Sequence, residues 1–208
     1  MLEPVRVVAI SDRRLMGETP EAFGAAIERA VKGCPPGSML VQIREKDLDG
    51  KLLVELVSVA RRYTRVIVND RIDIALAADA VAIHLPEDGL TIADARAQFP
   101  GVIGVSRHAP DATSGADLVQ LGPIWATPSK PGVTPLGVDV LRAPHGTAKL
   151  VAVGGIDSPE RAREAALAGA DAVALIRAAW SGDSLVPYVT AVDAGIALRL
   201  LGSEPFSE

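Results

Sequence analysis

The stretch LVQIREKDLDG, Leu40–Gly50, places Gln42, Arg44 and Lys46 at alternate positions after the apolar pair Leu40 and Val41. In an extended chain this spacing puts an amide and two cations on one face. Two cations converging at a strand end are favourable where an anion meets them, and phosphate oxygens are the obvious match. The plainer reading is a solvated pair with Glu45 and Asp47 as local partners, and for a lone surface cation that reading prevails.

Other strand-like runs end in polar residues in the same way. VIVNDR brings Asn69 and Asp70, and GVSRH brings the Ser106 hydroxyl. LGPIWATPSKPG is a loop rich in Pro and Gly, in which Thr127, Ser129 and Lys130 suit phosphate oxygens. In VAVGGIDSPE, Gly154 and Gly155 let backbone N–H groups approach a ligand, and ALIRAAW sets Ile176 and Arg177 after the last run. Two anion sites emerge. Arg44, Lys46, Asn69 and Lys130 suit a diphosphate, while Gly155 with the end of the last strand suits a monophosphate. Asp70 reads either as a Mg²⁺ ligand or as the cap of the helix that follows.

These residues need a frame that gathers strand ends. Apolar, β-branched runs predict strands over Val5–Ile10, Ser38–Ile43, Arg65–Val68, Ala80–His84, Val102–Val105, Leu118–Leu121, Leu150–Val153 and Ala172–Ile176. Helical periods lie between them, over Pro20–Lys32, Leu48–Tyr63, Ile72–Ala78, Ile92–Phe99, Asp111–Ser114, Val138–Leu141 and Pro159–Ala168, with Leu185–Leu200 closing the chain. The alternation predicts parallel pairing and a single-domain α/β fold over 1–208, the (β/α)8 TIM barrel, ahead of an open doubly wound sheet. In such barrels active-site residues collect at the C-terminal ends of the strands.

A net charge of −5 without a basic block argues against nucleic acid as a main partner. The lone Cys34 excludes an intrachain disulfide, and no apolar run reads as a membrane span. The N-terminal run has no signal-peptide pattern, so a cytoplasmic location is the expectation. The sequence leaves the association state, a homo-oligomer included, open.

Five motifs, VQIREKDL, VIVNDRIDIALAADAVAIHLPED, GVSRH, GADLVQLGPIWATPSKPG and VAVGGIDSPERAREAALAGADAVALI, resemble the successive motifs of the thiamin phosphate synthases and of their relatives, the thiazole tautomerases. The resemblance runs from about Val5 to Trp180. It implies a transferase that joins a hydroxymethyl-aminopyrimidine diphosphate to a thiazole phosphate with release of diphosphate, in thiamin biosynthesis. By that resemblance Gln42 contacts the pyrimidine, and Arg44, Lys46, Asn69, Ser106 and Lys130 hold the diphosphate. Asp70 ligates Mg²⁺, Thr127 and Ser129 face the thiazole, and Gly154, Gly155, Ile176 and Arg177 surround its phosphate.

Three departures from the family pattern stand out. The segment after strand four is HLPEDGL, one residue short, so Asp88 or Glu87 would supply the second Mg²⁺ ligand, with Asp88 favoured. Arg177 replaces a small polar residue, and Ser129 replaces a threonine. A tautomerase would carry a histidine base where this chain has Pro123, which cannot transfer a proton. Of His84, His108 and His145, only His108 is placed to replace it. A tautomerase-like isomerase and a non-catalytic barrel that binds thiamin precursors are the alternative readings.

Overall fold

Alternate residues of the strands divide between two apolar clusters, one inside a barrel and one between the barrel and its helices. In this computed structural model, which describes residues 4–110, 115–143 and 146–202, the eight strands close in sequence order. They are β1 Val7–Ile10, β2 Met39–Ile43, β3 Arg65–Asn69, β4 Ala82–Leu85, β5 Val102–Arg107, β6 Leu118–Leu121, β7 Lys149–Val153 and β8 Ala172–Leu175. Every pairing is parallel, including the closure of β8 onto β1. The predicted (β/α)8 barrel is the observed fold.

Val8, Leu40, Ile67, Ala82, Val102, Leu118, Val151 and Ala172 fill the barrel interior. The odd-numbered neighbours on β1 and β2, Val7, Ala9, Met39 and Val41, face the helices instead. Because side chains alternate, Gln42, Asn69, His84 and Gln120 each lie two residues beyond an interior apolar residue and share its face. The top layer of the barrel is therefore polar, as a ligand site requires.

The helices are α1 Arg13–Met16, α2 Pro20–Val31, α3 Gly50–Ala60, α4 Ile72–Ala77, α5 Ile92–Gln98, α6 Pro159–Ala168, α7 Arg177–Trp180 and α8 Val186–Gly202. Side-chain caps fix several starts: the side-chain oxygens of Thr19, Asp49, Thr91 and Ser158 accept from backbone N–H groups of the first turns of α2, α3, α5 and α6. Asp49 explains why α3 begins at Gly50 and not at Leu48. The segment after β6 forms no α-helix, only a 3₁₀ turn over Val138–Arg142, and the predicted helix at 111–114 falls outside the described residues. Helix α8 packs on the same barrel. Its Gly195 approaches α6 so closely that a Cβ there would lie 2.5 Å from Arg163 O. Among the described residues no helix is long and apolar enough to cross a membrane.

Candidate active site

Helix α1 and the turn before it decide what Arg44 and Lys46 can bind. Ser11, just past β1, donates its hydroxyl to Glu45 Oε1 at 2.6 Å and accepts from Arg44 N at 2.9 Å. Arg13 donates to Glu45 through its backbone N–H and Nη1, and clasps Asp47 through Nη1 and Nη2 at 2.7 and 2.8 Å. This pairing lowers the Asp47 carboxyl below its ordinary range. Glu45 and Asp47 are thus not the partners of Arg44 and Lys46, contrary to the plainer sequence reading. Neither cation forms an ion pair among the described residues, and both line a cavity of about 470 Å³ at the C-terminal mouth of the barrel.

The floor of that cavity is the polar layer. Gln120 Nε2 donates to Gln42 Oε1 at 2.6 Å, and Gln42 Nε2 donates to Asn69 Oδ1 at 3.2 Å. Both glutamines are buried. Gln120 was not singled out from the sequence, although it follows interior Leu118 by the same two residues that separate Gln42 from Leu40. Because β5 continues through Arg107, Ser106 lies within the strand, on the cavity wall. His84 faces the barrel interior behind it, with Nε2 2.9 Å from Ser106 Oγ. Burial, assisted by the Arg44 charge, pushes the His84 imidazole down to about 3.

Thr127, Ser129 and Lys130 all line the cavity from the loop after β6. Thr127 holds the loop's shape, since its Oγ1 accepts from Ser129 N at 3.3 Å and its carbonyl accepts from Lys130 N at 3.0 Å. Lys130 Nζ meets His108 Nε2, and His108 Nδ1 meets the Glu87 carboxylate, so three loops are linked at the mouth. Burial and the Arg44 charge lower the Lys130 ammonium, while the bond to His108 lowers Glu87.

Gly154 and Gly155 both have positive φ, 95° and 72°. A Cβ on Gly155 would lie 2.5 Å from Trp125 Cβ, and one on Gly154 would lie 2.7 Å from Pro123 Cα. The double glycine therefore serves a tight turn and also lets the loops after β6 and β7 interlock, with Trp125 N donating to Gly154 O at 3.1 Å. The guanidinium of Arg161 stacks 5.5 Å from the Trp125 ring and donates to Gly155 O, fixing the same junction. Ile176 and Arg177 complete this end of the wall. Arg177 opens α7, is exposed, and forms no ion pair with Glu160 or Glu164. The two anion sites read as separable in the sequence are two ends of one continuous cavity.

The metal candidates are placed differently from one another. Asp88 lines the mouth and has no hydrogen-bond or ion-pair partner among the described residues, whereas Glu87 is engaged by His108. Asp70 follows Asn69 at the end of β3 but is not part of the cavity lining. It adopts the left-handed conformation, φ 64°, and does not cap α4: the cap position is Arg71, without a side-chain hydrogen bond. No three His, Cys, Asp or Glu residues among those described gather around a common metal position. Mg²⁺ asks for less, one or two carboxylates with ligand oxygens completing its shell. Asp88, unengaged at the cavity mouth, fits that requirement, with Asp70 one residue beyond the lining residue Asn69.

The site is thus the mouth of a closed parallel barrel, with a polar floor and cations at both ends of one cavity. The family model for thiamine monophosphate synthase matches residues 7–179, and the chain belongs to that family. A Geobacter sulfurreducens protein provisionally named a thiamine-phosphate synthase is 42% identical over 183 residues, covering 79% of this chain and 84% of that one. The thiamine-phosphate synthase of Chloroflexus aurantiacus is 37% identical over 175 residues, covering 77% and 79%. Among solved structures, the thiamine phosphate pyrophosphorylase of Pyrococcus furiosus superposes with a TM-score of 0.70 at 24% identity, over 96% of this chain and 98% of that one, a likeness of fold.

Proposed function

We propose that this barrel is a thiamin phosphate synthase, a transferase that joins hydroxymethyl-aminopyrimidine diphosphate to a thiazole phosphate and releases diphosphate. The observation that carries the reading is the pair Arg44 and Lys46, set on the cavity wall with their neighbouring acids held by Arg13. Relatives more than a third identical bear the synthase name.

In this reading the two ends of the cavity hold the two substrates. Arg44, Lys46, Asn69, Ser106 and Lys130 take the diphosphate as charge-assisted and neutral donors. The amides of Gln42 and Gln120 at the floor present hydrogen-bonding groups to the aminopyrimidine ring. Thr127 and Ser129 face the thiazole, whose phosphate lies by Gly154, Gly155, Ile176 and Arg177. An electron-rich pyrimidine expels diphosphate to leave a stabilised cation, so the protein needs no nucleophile of its own. Its work is to neutralise the leaving group, exclude water and hold the thiazole nitrogen beside the exposed carbon. Asp70 and Asp88 would hold Mg²⁺ against the diphosphate, where the ion supplies further neutralisation of the departing charge.

Purified protein given both phosphorylated substrates and Mg²⁺ should form thiamin phosphate and diphosphate in equal amounts. Formation of neither would overturn the reading. Conversion of the thiazole substrate alone, with the pyrimidine diphosphate untouched, would favour an isomerase.

A further inference from the structure

His84 Nδ1 is the one buried side-chain nitrogen or oxygen without a hydrogen-bond partner among the described residues. The residue is only 1% exposed, and its ring lies against Gly104, where a Cβ would sit 2.7 Å from Nδ1. Any larger residue at Gly104 would drive the ring from this position. A barrel interior seldom retains an orphaned polar atom without a use for the group that carries it. The use lies at the other nitrogen, Nε2, 2.9 Å from Ser106 Oγ.

The two nitrogens of a neutral imidazole carry one proton between them. On Nδ1 it would be a buried N–H with no acceptor, the costlier kind of orphan. On Nε2 it meets the Ser106 oxygen. Deep burial keeps the ring neutral, and the nearby Arg44 charge acts in the same direction. Once Nε2–H donates to Oγ, the Ser106 hydroxyl must direct its own hydrogen elsewhere. Ser106 lines the cavity, and its hydroxyl has no other partner among the described residues.

We propose that His84 is a positioning residue: fixed as the neutral Nε2–H form, it donates to Ser106 Oγ and so turns the Ser106 hydroxyl hydrogen into the cavity as a donor to a substrate phosphate oxygen. The inference rests on the reading that diphosphate occupies the Arg44 end of the cavity. With the opposite tautomer the serine would donate to His84 and present only lone pairs to an anion, which would repel it. The histidine thus acts on the ligand through the serine, without touching it.

Nitrogen-15 NMR of the full chain with labelled histidine tests the tautomer directly, with His84→Gln assigning the signal. Nε2 should be protonated and Nδ1 unprotonated through neutral pH; a protonated Nδ1 overturns the inference. Calorimetry with inorganic diphosphate and Mg²⁺ tests the consequence. His84→Leu and Ser106→Ala should each weaken binding by about three- to tenfold, one hydrogen bond's worth. The double variant should bind no more weakly than either single one. His84→Gln, whose amide reaches as far as Nε2, should restore most of the affinity. Additive losses in the double variant, or no loss in His84→Leu, would overturn the positioning role. A wild type that binds no diphosphate would overturn the reading of the site itself, and the donor role with it, whatever the tautomer.

Discussion

Arg13 clasps Asp47 through both terminal guanidinium nitrogens, at 2.7 and 2.8 Å, while its Nη1 also reaches Glu45 at 3.3 Å. The two acids that alternate with Arg44 and Lys46 are thereby drawn to the opposite side of the segment. What the 44–47 segment presents to the cavity is positive charge alone, set by one arginine that never needs to touch the ligand.

Replacing that arginine tests the arrangement. Arg13→Ala frees Asp47 to neutralise Lys46 and leaves the buried Glu45 carboxylate with Ser11 as its remaining side-chain partner. Diphosphate affinity should fall several-fold and the melting temperature should drop, because a buried charge has lost a partner. Calorimetry and thermal melts read the two effects. Wild-type affinity in a variant that folds normally would show that Asp47 does not compete for the cations.

For the metal, Asp70→Asn and Asp88→Asn should each lower Mg²⁺-dependent turnover by roughly tenfold or more while leaving thiazole phosphate binding intact. Glu87→Gln should leave the Mg²⁺ response unchanged, because the carboxylate is engaged by His108. Turnover measured against Mg²⁺ concentration decides. A shifted Mg²⁺ response in Glu87→Gln but not in Asp88→Asn would reverse the assignment of the second ligand.

His84 makes stability depend on pH in a defined window. Its folded pKa, about 3, lies below the ordinary value of 6.5, so between them the unfolded chain binds a proton that the folded chain does not. Stability from this group is therefore complete above about 6.5 and declines as pH falls toward about 3. Denaturant titrations across that range should show a shallower acid decline in His84→Gln than in the wild type. Equal slopes would mean that His84 is protonated in the folded barrel.

Arg177 stands at the Gly155 end of the cavity, exposed and without a carboxylate partner among the described residues. Arg177→Ser should weaken thiazole phosphate binding by roughly tenfold and make it less sensitive to salt, as expected for loss of a charge-assisted contact. Tighter binding in the variant, with higher activity, would show that the side chain obstructs the pocket.

The strands were legible because each is a short β-branched run whose alternate residues must face two different apolar layers, so the barrel followed from their number and spacing. The cations at 44 and 46 were legible for the same reason. Gln120 was not. In Leu118–Leu121 it looks like one polar residue in a core strand, and only its bond to Gln42 across the barrel gives it a role. Helix α1 escaped because four residues carry no period, and with it escaped the Arg13 clasp, whose partners lie 34 residues apart in the chain. The union of the two proposed anion sites in one cavity depends on the interlocked loops at Gly154 and Gly155, a tertiary fit that a Gly-Gly pair alone does not announce. The engagement of Glu87 by His108 is likewise tertiary, and it favours Asp88 as the acid left for a metal.

The central claim is that Arg44 and Lys46 hold the diphosphate of the pyrimidine substrate during transfer. Its most direct test is the rate of thiamin phosphate formation by Arg44→Ala and Lys46→Ala, with each substrate varied in turn. The account predicts that kcat/KM for the pyrimidine diphosphate falls about ten- to a hundredfold in each variant, as loss of a charge-assisted phosphate contact implies. The KM for thiazole phosphate should stay near that of the wild type. Unchanged kcat/KM for the pyrimidine diphosphate in both variants would contradict the account.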